Sequence, residues 1–223
     1  MELELYSKGE VIDYVYQYSK YHGNLLVYCE RIAKEETANG FATLIFLFNI
    51  TENIFKGITE DYDVNFYEVI HNLRNQKYIS REEYVFLNKG KTSVRGLRNI
   101  FAHADLSKYN LVFLENGKEV LYPLSENETC VILYDILSDV VFNLLLKVVS
   151  VNFVNPIPLN LDNTIKSIKL NLKEFSPEEL MRFKGLEPKE IVEWEDFSEA
   201  NRYRFAENAS DVNVLAEILR YLK

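Results

Sequence analysis

A short run near the middle of the chain combines an apolar face with a guanidinium, an amide and an imidazole. It reads Ser93-Val94-Arg95-Gly96-Leu97-Arg98-Asn99-Ile100-Phe101-Ala102-His103-Ala104-Asp105. Residues four apart share one face of an α-helix, so Arg95, Asn99 and His103 form a polar stripe. The opposite side is covered by Leu97, Ile100, Phe101 and Ala104. This pattern predicts an amphipathic helix that packs against other helices.

The sequence before this run predicts two further helices and the break between them. Apolar residues recur at helical spacing over residues 9–36, which indicates one long helix with Gly23-Asn24 as the point of any bend. Asn39-Gly40 is a break signal, and residues 41–56 form a nearly all-apolar helix that Gly57 should end. Such a helix belongs in the middle of a bundle.

Two more helices are predicted directly before the run. Residues 65–76 place Phe66, Val69, Ile70 and Leu73 on one face. Ser80 is followed three residues later by Glu83, the spacing of a capping box that begins a helix.

After this run, the sequence predicts β-strands as well as helices. Residues 111–122 place Asn116-Gly117 between two apolar stretches and predict a β-hairpin, and residues 130–149 predict an apolar helix that closes the bundle. Beyond the break at 155–158, residues 168–173 alternate like a strand, Ser176 begins a helix and residues 211–222 form an amphipathic helix.

These patterns predict a mainly α protein. We expect a helical bundle over residues 1–155, with one β-hairpin, and a small α+β C-terminal extension over residues 156–223. The extension has few apolar residues for a core of its own, so we expect it to dock on the bundle or on a partner.

Composition and charge bound the function. The chain has 223 residues, 48% of them hydrophobic, and a net charge of −9, which argues against a broad nucleic-acid-binding surface. Residues 84–104 hold no Asp or Glu, although a window of this length would carry about three at the chain's average frequency. The absence of acidic residues from this segment has two explanations. It is either chance at the end of a helix, or it marks a local region of positive charge around His103 on an otherwise acidic protein.

The expected compartment is the cytosol. The N-terminus lacks the basic and apolar regions of a secretory signal, and residues 41–50 are too short and too polar to span a bilayer. Cys29 and Cys130 form no motif, so we expect them to be reduced in the core.

Arg98 and His103 are five residues apart, about 140° around a helix and about 7.5 Å along it. They can act together if the arginine side chain swings across, if the helix loosens near His103, or if a second subunit supplies one of them. Asn99 is better placed than Arg98 to contact the imidazole of the same chain.

An imidazole and a guanidinium suit the cleavage of RNA by its own 2′-hydroxyl. An imidazole, with an ordinary pKa near 6.5, can take and give protons at neutral pH, and a guanidinium binds two phosphate oxygens. No metal is required, and no His, Cys or carboxylate cluster has metal-ligand spacing. His22 and His71 read as isolated, exposed helix residues. Alternatively, His103 is an ordinary surface residue and the pattern is incidental.

The Arg98-Asn99-x-x-x-His103 pattern, late in a helical bundle, resembles the signature of the HEPN superfamily over about residues 1–150. The resemblance implies a homodimeric, metal-independent endoribonuclease without a cofactor, acting in toxin–antitoxin, phage-defence or CRISPR-linked systems. It implies that Arg98 stabilises the scissile phosphate, that His103 transfers protons and that Asn99 is the polar residue beside the arginine. The implied substrate is single-stranded RNA or a tRNA loop.

Further residues are expected to bind substrate, and other functions stay open. We assign Arg95, Lys91 and Asp105 to the substrate-binding surface, with Asp105 also able to orient the His103 ring. Some HEPN toxins carry a tyrosine at the position of Asp105 that a partner nucleotidyltransferase modifies, so that regulation is not expected here. The alternatives are a non-catalytic HEPN-like binding or regulatory module and a plain helical scaffold.

A second polar cluster lies in the apolar helix at Asn49, Glu52, Asn53 and Lys56. In one interpretation, Glu52 and Lys56 form a surface ion pair at i,i+4 spacing. In the other, Glu52 or Asn53 points into a cleft beside Arg98.

Overall fold

A computed structural model describes residues 5–35, 39–188, 191 and 194–209. The chain divides into two compact units, each built from two separate segments. The first unit comprises residues 1–104 and 127–170, and the second comprises residues 105–126 and 171–223. This division differs from the predicted boundary at residue 155, because the hairpin belongs with the C-terminal segment and residues 156–170 belong with the bundle.

The described part of the first unit is helical. Its helices are α1 (Lys8–Tyr18), α2 (Lys20–Lys34), α3 (Gly40–Thr59), α4 (Phe66–Asn75), α5 (Arg81–Asn88), α6 (Val94–His103), α7 (Asn127–Ser150) and α8 (Asp162–Ser167). The chain is therefore mainly α, as predicted.

The described part of the second unit combines a small sheet with two helices. Its elements are β1 (Tyr109–Glu115), β2 (Lys118–Pro123), β3 (Leu172–Glu174), α9 (Pro177–Phe183) and α10 (Glu199–Asn208), with 3-10 turns at Leu106–Lys108 and Trp194–Asp196. The antiparallel sheet has the order β2-β1-β3. The predicted helix at 211–222 lies outside the described residues.

The core of the first unit lies between α3 and α7. Leu44 and Leu47 of α3 and Leu137 and Val141 of α7 are fully buried. Both helices are long and apolar enough to cross a membrane, but 44% of the apolar window of α3 and 72% of that of α7 are buried inside the protein. Their apolar character is that of helices packed against other helices.

The prediction of one helix over residues 9–36 was wrong, because the chain breaks at Ser19. Ser19 is extended, with φ −146° and ψ 109°, and its side chain accepts a hydrogen bond from the His22 N–H at 3.3 Å. Gly23 does not bend the chain. A Cβ there would lie 2.6 Å from the Tyr16 Cα, so this glycine allows α1 and α2 to approach closely.

The prediction that Gly57 ends the third helix was also wrong. The helix α3 continues to Thr59, and Glu60 terminates it in the left-handed conformation, with φ 54°. The Asp61 N–H donates to the Lys56 carbonyl at 3.2 Å and so satisfies one of the last carbonyls of the helix.

The predicted helix starts and the predicted hairpin turn were confirmed. Asn65, Ser80 and Ser176 each begin a helix with the reciprocal hydrogen bonds of a capping box. Asn116 and Gly117 form the two-residue hairpin loop, with φ 51° and 79°.

The second unit contradicts two expectations. The segment 168–173 was predicted as a strand, but β3 covers only Leu172–Glu174 because only Tyr109, Asn110 and Leu111 of β1 pair with it. The unit also has an apolar core of its own, formed by Leu180, Met181, Trp194, Tyr203, Phe205, Ala206 and Ala209.

Candidate functional site

The helix α6 carries the Arg98 and His103 side chains and is anchored at its N-terminus. The Ser93 hydroxyl accepts from the Gly96 N–H at 3.0 Å and donates to the Gly90 carbonyl at 2.8 Å. A Cβ on Gly96 would lie 2.3 Å from the Gly90 carbonyl oxygen. The turn at residues 90–91 therefore packs directly on the first turn of α6, which only glycine at position 96 permits.

The apolar face of α6 points into the first unit, as predicted. Val94, Leu97 and Ile100 are buried, and the Phe101 ring meets Phe48 of α3 edge-to-face with ring centroids 6.0 Å apart. His103 is the last residue of the helix, and its side chain is exposed rather than packed in hydrocarbon.

The Arg98 guanidinium is held in place by two oxygen atoms. Its Nη2 donates to Glu52 Oε2 at 3.1 Å and its Nη1 donates to Asn99 Oδ1 at 3.3 Å. The Arg98 side chain remains 30% exposed. The amide oxygen of Asn99 thus faces the guanidinium, whereas the sequence suggested a contact with the imidazole.

The Glu52 carboxylate lies between two cations. Besides Arg98, it pairs with Lys56 at 3.1 Å, one helical turn along α3. Each interpretation of the second polar cluster is therefore confirmed only in part, since Glu52 pairs with Lys56 and also lies beside Arg98. The Glu52 side chain is only 14% exposed, so this is a half-buried network and not a surface pair.

Arg95, predicted to bind substrate, has several partners within the first unit. Its Nε donates to Asn88 Oδ1, and its Nη2 donates to the Asn88 carbonyl at 3.2 Å. The Tyr67 ring centroid lies 5.4 Å from its guanidinium carbon. These contacts tie α6 to α4 and α5 and leave Arg95 half-buried.

The other two residues assigned to the substrate surface lie in different units. Lys91 is exposed in the turn before α6. Asp105 belongs to the second unit, where its carboxylate accepts from the Ser107 N–H at 3.2 Å and begins a 3-10 turn.

The geometry narrows how Arg98 and His103 could act on one phosphate. The helix α6 is regular through His103, so it does not loosen there. Glu52 and Asn99 hold the Arg98 guanidinium, which argues against a swing across the helix.

His22 was expected to be exposed and isolated, and this was wrong. Burial lowers the pKa of the His22 imidazole, and a hydrogen bond with the Asn53 side chain offsets part of this effect. Its Nδ1 atom is buried and has no hydrogen-bond partner among the described residues. Asn53 therefore contacts α2, while its neighbour Glu52 contacts α6.

The residue that sequence reasoning left undecided is Glu52. Its signal was a carboxylate inside an otherwise apolar helix, because such a group needs a cationic partner. The sequence supplies several cations and does not say which one pairs with it.

Among the described residues, no group of three or more His, Cys, Asp or Glu side chains is placed to hold a metal ion. Comparison with family models, curated proteins and solved structures finds no match to this chain. Any functional assignment therefore depends on the residues of α6 and their neighbours.

Proposed function

We propose that this protein is a homodimeric, metal-independent endoribonuclease of HEPN type. The observation that supports the proposal is one helix carrying both a guanidinium held in a fixed direction and an exposed imidazole at its end. In this proposal the protein acts in the bacterial cytosol, in toxin–antitoxin or antiphage defence. Its substrate is single-stranded RNA or a tRNA loop, and an antitoxin or another defence protein is a candidate partner.

Arg98 would bind the scissile phosphate. A guanidinium has five N–H donors, and the contacts to Glu52 and Asn99 use two of them. Capacity therefore remains for a phosphate oxygen on the exposed side of Arg98. A guanidinium already fixed by a neighbouring carboxylate stabilises developing negative charge without reorganising during the reaction.

His103 would transfer the protons. One imidazole takes the proton of the 2′-hydroxyl, the 2′-oxygen bonds to phosphorus, and the bond to the 5′-oxygen breaks. A second imidazole, already protonated, gives its proton to the departing 5′-oxygen. The products are a 2′,3′-cyclic phosphate and a 5′-hydroxyl, and no step calls on a metal ion. Two imidazoles require two copies of α6, which is the reason to propose a dimer.

The first test is RNA cleavage in the presence of EDTA. We expect the wild-type protein to cleave total tRNA and leave cyclic phosphate ends, and Arg98→Ala and His103→Ala to lose at least about 100-fold in rate. His71→Ala is the matched control, since His71 is also an exposed histidine of the first unit. Wild-type activity in both α6 variants would remove the proposal.

A mixing experiment tests the composite site. The mechanism needs both imidazoles, so a heterodimer of the wild-type chain and His103→Ala should be inactive. Adding excess His103→Ala to the wild-type protein and allowing the subunits to exchange should therefore lower the cleavage rate well below that of the wild-type protein alone. A strict monomer by sedimentation, or an unchanged rate despite subunit exchange, would contradict the dimeric site.

One observation favours the alternative of a non-catalytic HEPN-like module. The Glu52 carboxylate already pairs with Arg98, so a phosphate would have to bind against a neighbouring negative charge. This alternative predicts that RNA binds without turnover and that His103→Ala leaves the binding unchanged.

A further inference from the structure

The second unit contains a cavity of about 340 Å³, a volume within the range of small-molecule sites. One face of the sheet forms its floor, and α9 and α10 form its walls. Its lining is largely apolar and includes Asn110, Leu121, Pro123, Leu180, Phe183 and Ala206. Every described lining residue belongs to the second unit, whereas Arg98 and His103 of the proposed ribonuclease site belong to the first.

The register of the sheet directs the Asn110 side chain toward this cavity. In the β1–β2 ladder, Asn110 lies opposite Pro123 and Val112 lies opposite Leu121. Residues directly opposite each other in an antiparallel pair project from the same face of the sheet. Since Pro123 and Leu121 line the cavity, the Asn110 amide lies on the cavity side as well.

The Asn110 amide is buried without a hydrogen-bond partner. Asn110 is 1% exposed, and neither its Oδ1 nor its Nδ2 has a partner in the described part of the chain. An unpaired buried polar group costs about 1 to 3 kcal/mol, and native proteins seldom leave one. A donor and an acceptor thus lie side by side just beneath the apolar lining, and a ligand in the cavity can pair with both once a lining side chain moves aside.

The charged groups around the cavity are paired with protein atoms. The Lys184 ammonium donates to the Ala206 and Glu207 carbonyls at 2.6 and 2.8 Å and so closes the C-terminal end of α10. Glu207 accepts from the Ser125 hydroxyl at 2.6 Å, and Glu119 pairs with Lys173 at 2.6 Å. Two of the three Lys184 donors are used in this way, and the described lining carries two carboxylates, Glu119 and Glu207, against this one ammonium. The surplus of negative charge disfavours a phosphate and favours an uncharged ligand.

We propose that this cavity binds a neutral planar heterocycle of the nucleobase type, held by a two-point hydrogen bond to Asn110. A carboxamide offers one donor and one acceptor, the arrangement with which asparagine pairs with the adenine edge. The flat apolar body of the base would lie between the sheet and the side chains of Leu180 and Phe183. The free base or nucleoside is the expected ligand class, rather than a phosphorylated nucleotide.

Calorimetric titration of the full chain tests whether the cavity binds a nucleobase. The three probes are adenine, uracil and indole. Adenine and uracil each carry an adjacent donor and acceptor, whereas indole is a flat apolar molecule with a donor alone. We expect saturable binding of at least one base and weaker binding of indole. Failure of both bases to saturate at millimolar concentration would overturn the proposal, as would indole binding at least as tightly as the bases.

Substitutions of Asn110 then test whether its side-chain amide holds the bound base. Asn110→Leu should weaken base binding roughly 10- to 100-fold, the effect of losing a two-point hydrogen bond. The unliganded protein should unfold at the same or a higher temperature, because the variant removes an unpaired buried polar group. Asn171→Leu, at an exposed amide of the same unit, is the matched control. Unchanged binding in Asn110→Leu would refute the role of the amide.

Asn110→Ala decides the case if the leucine variant does not fold. It removes both the donor and the acceptor without adding bulk, so base binding should again fall at least about tenfold. The side-chain NH₂ resonances of Asn110 in the wild-type protein give a direct readout. They should shift on titration with the bound base, and unshifted resonances at saturation would contradict the contact.

Discussion

Glu52 Oε2 lies 3.1 Å from Arg98 Nη2, and this ion pair joins the central helix α3 to the helix that carries the candidate site. The pair has two opposing effects on phosphate binding. It holds the guanidinium in one direction, which favours catalysis, and it partly neutralises the charge that a phosphate would meet. Variants of Glu52 separate these effects.

Glu52→Ala should lower the rate of RNA cleavage by roughly tenfold, because Arg98 loses the oxygen that orients it. Glu52→Gln keeps an oxygen acceptor at the same place and should retain most of the rate. Lys56→Met is the matched control, since it removes the other cation on the same carboxylate. A rate above wild type in Glu52→Ala would show instead that Glu52 masks Arg98.

A buried ion pair in the first unit should be important for stability. Lys147 Nζ lies 2.7 Å from Glu83 Oε1, and the Glu83 side chain is fully buried. Lys147→Met would leave the carboxylate without its cation, so we expect the free energy of unfolding in urea to fall by about 3 to 5 kcal/mol. In Arg31→Met, which removes an exposed pair at 4.0 Å, the change should stay within about 0.5 kcal/mol. Similar losses in both would contradict the assignment.

Glycine at position 96 should be required for the placement of α6. An alanine Cβ there would collide with the Gly90 carbonyl oxygen, which belongs to the backbone and cannot rotate away. We expect Gly96→Ala to lower stability by about 1 to 3 kcal/mol and to reduce RNA cleavage, because α6 must shift. At Gly9 the nearest neighbouring atom, the Ser7 Oγ, would be 4.0 Å from the new Cβ, so Gly9→Ala should be neutral or stabilising by up to about 1 kcal/mol. Equal effects of the two substitutions would refute the steric explanation.

The half-buried His22 should make stability depend on pH. Its pKa in the folded protein lies below the ordinary 6.5, so the unfolded chain binds more protons in the interval between the two values. The contribution is fully present above pH 6.5 and is lost as the pH falls from there toward the lowered value. In His22→Gln, the dependence of unfolding free energy on pH should flatten as the pH falls below about 6.5. His71→Gln, at an exposed histidine, is the control, and an equal flattening there would contradict the role of His22.

The parts of the fold set by neighbouring residues could be predicted from the sequence. The capping boxes at Ser80 and Ser176 and the Asn116-Gly117 turn depend on contacts within four residues. The break at Ser19 was missed because the apolar period continues across it, and the period does not show the close approach of Gly23 to Tyr16 that the break allows. The strand β3 was misplaced because its extent is set by pairing with β1, some 60 residues earlier in the chain.

In the candidate site too, features set by neighbouring residues could be predicted and features set by distant residues could not. Arg98, Asn99 and His103 share one helix, so their common location was predictable from spacing. The partner of Arg98 was not, because Glu52 is 46 residues away and its carboxylate had two plausible cations. The unpaired amide of Asn110 had no signal at all in the sequence. Its burial depends on α9 and α10, which are encoded at least 67 residues later.

The nested order of the two units bears on how the chain folds during synthesis. The hairpin leaves the ribosome before the first unit is complete, and β1 has β2 on one side only until residues 172–174 arrive. At a typical 5 to 20 residues per second, the roughly 50 intervening residues take about 2 to 10 s. During that interval the second edge of β1, with its unpaired N–H and carbonyl groups, is an open template for another strand. Nascent chains stalled before residue 172 should therefore associate through this edge more readily than chains stalled after β3 has emerged.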